Sequence, residues 1–172
     1  FSIKVAEGED LKHVHVILKE IEESAKERGT GIAKRTAAYI EEKINEKKAV
    51  MAFSPEGEWA GFCYIETWSN KTYVANSGLI VSRKFRNEGL ARNIKEFIFN
   101  YSRQQFPNAK LFGLTTGLAV MKINSDLGYS PVTYSELTQD DVFWSGCKSC
   151  VNYEILMGKE RKNCLCTAML YN

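Results

Sequence analysis

The chain has 172 residues and a mass of 19.5 kDa, enough for a domain that buries about 70% of its unfolded surface. Hydrophobic residues make up 44% and charged residues 26%, which excludes extended disorder, collagen-like repeats and a disulfide-dense miniature. Lys and Arg total 23 against 21 acids, a net charge of +2 too balanced for a nucleic-acid binder, and no apolar run approaches the ~20 residues of a membrane span.

Residues 2–5 alternate in polarity and predict a first strand. Residues 9–28 place Leu11, Val14, Ile17, Leu18 and Ile21 at helical spacing, and Gly29-Thr30-Gly31 ends that helix. A second helix is expected over residues 33–47, with Ala33, Ala37, Ile40 and Ile44 on one face. The β-rich runs 49–53 and 59–67 flank Ser54-Pro55-Glu56-Gly57, a hairpin signature. A third run, 71–81, completes an antiparallel meander. A polar, glycine-containing stretch then leads into a helix over 89–105, with Ile94, Phe97 and Ile98 inward. Pro107-Asn108 breaks the chain before a strand at 110–115. Residues 119–127 predict a short helix ending at Gly128, Val132 begins a further strand, 140–144 form a helical turn and 163–171 a closing strand. There is no repeat or low-complexity linker. The expected organisation is a single α+β domain over residues 1–172, with a cysteine-rich segment, 146–172, packed onto it.

The stretch with chemical content is a strand followed by Arg86-Asn87-Glu88-Gly89-Leu90-Ala91 and a helix. The first N–H groups of a helix have no partner within it, and its peptide dipoles make that end positive. Such an end can cradle a phosphate or pyrophosphate. Gly89 and small Ala91 would let an anion approach the backbone, and Arg86 could add a charge-assisted contact. By itself the pattern also describes an ordinary exposed strand-to-helix turn.

Its context is more specific. Val81 stands four positions before Phe85 and five before Arg86, and the whole segment resembles motif A of the GNAT N-acyltransferases, V-x-x-x-[aromatic]-R-x-x-G-[apolar]-[G/A]. The element order resembles that family over roughly residues 1–135, and Leu127-Gly128-Tyr129 stands where the family has its L-G-[F/Y] step. The resemblance implies a GNAT-like fold, a twisted, mixed, mostly antiparallel sheet flanked by helices. It implies acetyl-CoA, or another short acyl-CoA, as cosubstrate. The backbone of Leu79 and Val81 would pair with the pantetheine arm, and the amides of Asn87, Glu88, Gly89, Leu90 and Ala91 would hold the pyrophosphate, with Arg86 beside it. The reaction implied is direct transfer to a primary amine.

The family's general-acid tyrosine falls here on Asn124, and a frequent strand glutamate falls on Asn76. An amide has no acidic proton to give, although it can hydrogen-bond or hold a water. Glu66, late in the neighbouring strand, is then the best remaining general base; the alternative is a solvated edge residue or salt bridge. His13 and His15 point to different sides of a helix and read as surface or rim residues. Cys63, inside an apolar strand, reads as a packed thiol. Lys34, Arg35 and Lys71 lie near elements that wall the acceptor side in the family and could bind a substrate carboxylate, or could be solvated charges. The family's compact stand-alone members include glutamate N-acylating enzymes, so a small-molecule amine such as an amino acid is the expected acceptor. A CoA-sensing module without catalysis and a protein N-acetyltransferase are the alternatives.

Four of five cysteines form Cys147-Lys148-Ser149-Cys150 and Cys164-Leu165-Cys166. Together they could make a tetrahedral structural zinc site; free thiols or disulfides are the alternatives. The cysteine usage and the absence of a basic-then-apolar leader at Phe1 point to the cytoplasm. No nucleic-acid or membrane partner is expected, and a homodimer is left open.

Overall fold

The computed structural model describes residues 1–29 and 35–172. Strand β1 (Ser2–Val5) leads through a 3-10 turn at Gly8–His13 into helix α1 (Val14–Arg28). The first helix therefore starts later than its periodicity suggests. The Asp10 carboxylate accepts the Glu7 N–H at 2.8 Å and pairs with Lys4 at 3.0 Å, which holds the entry in the tighter turn. Helix α2 (Ala37–Asn45) begins at Thr36, whose hydroxyl accepts the Tyr39 N–H at 3.2 Å. The earlier start expected at Ala33 lies outside the described residues.

Strands β2 (Ala49–Phe53), β3 (Trp59–Trp68) and β4 (Tyr73–Val81) follow, then helix α3 (Leu90–Gln105), strand β5 (Lys110–Thr115) and helix α4 (Leu118–Asp126). The chain closes through β6 (Ser130–Pro131), α5 (Asp141–Ser145), α6 (Tyr153–Gly158) and β7 (Thr167–Tyr171). Two expectations change here. The strand expected from Val132 is the two-residue β6, after which the Val132 N–H donates to the Ala168 carbonyl at 3.0 Å. The last strand begins at Thr167 rather than at 163, so Cys164 and Cys166 lie in the loop before it.

Among the described residues the seven strands are ordered β1-β2-β3-β4-β5-β7-β6. Pairings β1–β2, β2–β3, β5–β7 and β6–β7 are antiparallel, and β4–β5 is parallel. This is the mixed, mostly antiparallel sheet with flanking helices that the sequence predicts. The β4–β5 ladder matches Tyr73, Val74 and Ala75 with Lys110, Leu111 and Phe112; Leu79 and Val81 are not in it.

The described chain divides into two compact units, one of residues 1–28, 35–66 and 76–105, the other of Gly29, 67–75 and 106–172. In the first, Ile17, Ile40, Ile44, Met51, Phe62, Ile94 and Ile98 are fully buried. Strand β2 is buried almost throughout because α2 and α3 both pack on it. The second unit's core is rich in aromatic rings: Phe112, Tyr134 and Trp144 pack with Leu137 and Leu156, and Trp68 and Phe143 lie against them. The Phe143 and Trp144 ring centroids are 4.8 Å apart, edge to face.

Candidate functional site

The end of β4 and the start of α3 form a continuous stretch of unusual backbone. Gly78, within β4, has a φ of +65°, and a Cβ there would collide with the Tyr64 ring at Cε1. Only glycine meets both conditions, and the strand kinks as a bulge does. After Val81 a 3-10 turn, Arg83–Phe85, leads to Arg86 in an extended conformation. Asn87 and Gly89 are then left-handed, with φ of 66° and 78°. These two reversals turn the amides of residues 87–91 out of any ladder. Among the described residues those amides have no protein acceptor, while the Gly89 carbonyl already accepts the Asn93 N–H at 3.3 Å. They sit at the positive end of a helix of 16 residues. No atom lies within 4 Å of where a Gly89 side chain would begin, so the backbone is open to approach.

The side chains around this turn differ in what they can offer. Leu90 is 1% exposed, so only its backbone faces outward, whereas Asn87, Glu88 and Gly89 are exposed and Ala91 half-buried. Arg86 is not a free cation. Its Nε donates to the Val81 carbonyl at 3.2 Å, its Nη2 to Glu20 at 2.8 Å and its Nη1 to Glu27 at 3.4 Å. The Arg83 N–H also donates to Glu20, at 3.0 Å. The Arg86 guanidinium thus splints the turn against α1 and the strand end, so any contact with a phosphate must be shared with these acids.

Glu66 lies near the end of β3 and is half-buried. Burial raises its carboxyl above the ordinary range, and the nearby Arg35 guanidinium opposes that rise. Arg35 Nε donates to the Tyr64 hydroxyl at 2.6 Å. The Tyr64 phenol is itself raised by burial, again opposed by Arg35. Tyr64 therefore connects the cation, the Glu66 strand and the Gly78 kink. Neither Tyr64 nor Gly78 was singled out from the sequence, although an isolated glycine inside a β-run is the usual sign of a bulge.

Leu79, Val81, residues 86–91 and Glu66 all belong to the first unit, as does Arg35. Asn124 belongs to the second unit and is 1% exposed. Its carbonyl accepts the Tyr129 N–H at 3.0 Å, and its Oδ1 is buried without a hydrogen-bond partner among the described residues. Asn76 is an internal residue whose Nδ2 donates to Ser102 Oγ at 2.7 Å. Lys71 is exposed in the left-handed turn at Ser69, Asn70 and Lys71 of the second unit, and Lys34 lies outside the described residues. His13 is half-buried with its ring 5.5 Å from that of Phe53, and His15 is exposed. Burial pushes the Cys63 thiol up to about 11, and its Sγ donates to the Ser77 carbonyl at 3.3 Å, as an inert core thiol does. The other four cysteines lie in the second unit as free thiols.

No protein-family model matches the chain, and no curated protein does. Solved structures do. An N-acetylglutamate synthase from Neisseria gonorrhoeae, complexed with coenzyme A and N-acetyl-glutamate, is similar at a TM-score of 0.66 and 16% identity, over 98% of this chain and 34% of that one. A Mycobacterium tuberculosis protein in complex with CoA is similar at 0.69 and 15% identity, over 99% of this chain and 98% of its own. A ribosomal-protein-alanine N-acetyltransferase from Brucella melitensis is similar at 0.65 and 13% identity, over 99% of both chains. The chain thus spans about a third of the gonococcal synthase and nearly all of the other two. Likeness at this identity establishes a shared fold, the GNAT fold expected from the motif.

Proposed function

We propose that this chain, built on the GNAT fold, is an N-acetyltransferase that moves an acetyl group from acetyl-CoA to the primary amine of a small, carboxylate-bearing molecule, an amino acid such as glutamate. One observation carries the reading: the acceptor-free amides of residues 87–91 at the mouth of α3, exposed by left-handed Asn87 and Gly89. That arrangement suits the pyrophosphate of CoA, which carries charge where these donors point. The backbone of Leu79 and Val81, which lies beyond the short β4–β5 ladder, would pair with the pantetheine arm. Arg86 would steady the turn and share its charge with the phosphates.

In the transfer, the amine nitrogen bonds to the thioester carbon and the carbon–sulfur bond breaks. The amine gives up a proton to Glu66, directly or through a water, and the thiolate takes one up from solvent. A backbone N–H of the β4 strand would polarise the carbonyl as charge develops on its oxygen. Asn124 cannot serve as the acid, because its amide has no acidic proton. Arg35, steadied by Tyr64, would hold the acceptor's carboxylate through a charge-assisted bond. The five free thiols suit a reducing compartment, and we place the reaction in the cytoplasm.

The test is thiol release from acetyl-CoA with a panel of amino acids, simple amines and an alanine-initiated peptide. Amine-dependent release, fastest with acidic amino acids, is expected. CoA binding without turnover on any acceptor would instead make the chain a sensor. A preference for the peptide would move the acceptor to a protein N-terminus.

A further inference from the structure

We propose that Cys147, Cys150, Cys164 and Cys166 form a four-thiolate site for one zinc ion, which staples the loop after α5 to the start of β7. The proposal is independent of the acyltransfer reading, since all four residues belong to the second unit and none to the turn at 86–91.

Two stretches of chain, separated by α6, both contribute cysteines to the wall of one cavity. All four cysteines line a single cavity of about 40 Å³, together with Leu114, Tyr134, Trp144 and Leu156. That exceeds the ~10–15 Å³ that admits one water. Asn152 and Tyr153 complete the lining, and the sulfurs are the groups there suited to a soft ion. The Cys150 N–H donates to the Cys147 carbonyl at 2.9 Å, which closes the C-x₂-C segment into a tight turn. Leu165 is 62% exposed while Cys164 and Cys166 on either side are half-buried, so the C-x-C pair turns both sulfurs inward. The Asn152 N–H lies 3.4 Å from Cys150 Sγ as a donor, the kind of bond that steadies a ligating thiolate. The Tyr134 hydroxyl donates to the Cys166 carbonyl at 2.7 Å and fixes the second segment to the aromatic core.

The sulfurs are not drawn together as they stand: among the described residues no set of three or more His, Cys, Asp or Glu side chains is arranged to hold an ion. Closing the site needs rotation about the cysteine side-chain bonds. Four sulfur ligands and no oxygen or imidazole favour tetrahedral Zn²⁺ over harder ions. A shell closed by four thiolates leaves no position for substrate, so the role is structural.

The full-length chain, reduced and stripped with a chelator, is titrated with Co²⁺ and then Zn²⁺. The expected result is saturation near one equivalent of Co²⁺, with sulfur-to-metal charge-transfer bands and the intense visible bands of tetrahedral cobalt. Zn²⁺ should displace these bands and raise the thermal midpoint. Cys147→Ser and Cys166→Ser should each lose the bands, and Cys63→Ser should keep them. Absence of sulfur-to-cobalt bands in the reduced wild-type chain would overturn the proposal without reference to any variant. So would bands that persist in the Cys147→Ser/Cys166→Ser double variant, or disulfides among the four cysteines in chain purified under reducing conditions.

Discussion

Glu66 shows how one residue's surroundings set its chemistry. Its carboxyl is raised by burial and held back by Arg35. A base must be deprotonated to work, so kcat/KM should climb as pH rises through a range above that of an ordinary glutamate. Glu66→Gln should abolish this limb and lower kcat by ~10²–10⁴-fold, with CoA affinity unchanged. The linkage runs the other way for stability. A carboxyl whose folded pKa exceeds its unfolded value stabilises fully below the unfolded pKa, and that contribution is lost as pH rises through the folded pKa. Near neutral pH, Glu66→Gln should therefore melt no lower than the parent chain; a clear drop in its thermal midpoint would mean that Glu66 serves packing or an ion pair. Arg35→Ala should raise KM for acidic amino acids by ~10-fold or more, as loss of a charge-assisted bond of ~1.5–3 kcal/mol requires, and leave KM for acetyl-CoA alone. Glu66 could be found in the sequence because a carboxylate late in a β-run stands out, and Arg35 because the resemblance implies that its element walls the acceptor side. Tyr64 could not, since a tyrosine among apolar residues looks the same whether its hydroxyl meets solvent or a guanidinium.

At the scale of elements, β4 and α3 are shaped by two glycines with different demands. At Gly78 the φ of +65° and the contact with Tyr64 act together, so Gly78→Ala should cost ~1–3 kcal/mol, read as a lower denaturant midpoint at unchanged slope. At Gly89 there is space but a φ of +78°, so Gly89→Val should weaken CoA binding by ~10-fold or more while the chain still folds. The long elements were legible because burial writes a period into them: Ile94 and Ile98 of α3 are fully buried, as their spacing implies. The short ones were not. β6 has two residues and α6 has six, too few to show a period. The start of α1 was set by the Asp10 side chain, a contact that apolar spacing does not register. Arg86 lies on the turn, yet its partners Glu20 and Glu27 come from a helix some 60 residues earlier, as the 66- and 59-residue separations record.

For the whole molecule, the mixed, mostly antiparallel sheet is the one implied by the motif, the element order and the Leu127-Gly128-Tyr129 step; the strand order is read from the structure. No helix among the described residues is long and apolar enough to cross a membrane. Fold alone does not fix activity, since one scaffold hosts many chemistries. What distinguishes this chain is where its unpaired donors lie: at the first turn of α3, in the same unit as the raised carboxyl of Glu66. The most direct measurement is calorimetric titration of the folded, full-length chain with coenzyme A. Saturable heat at about one ligand per chain, weakening as salt is added, is the expected result. No heat from a chain whose thermal melt shows it to be folded would contradict the pyrophosphate cradle and the transferase built on it.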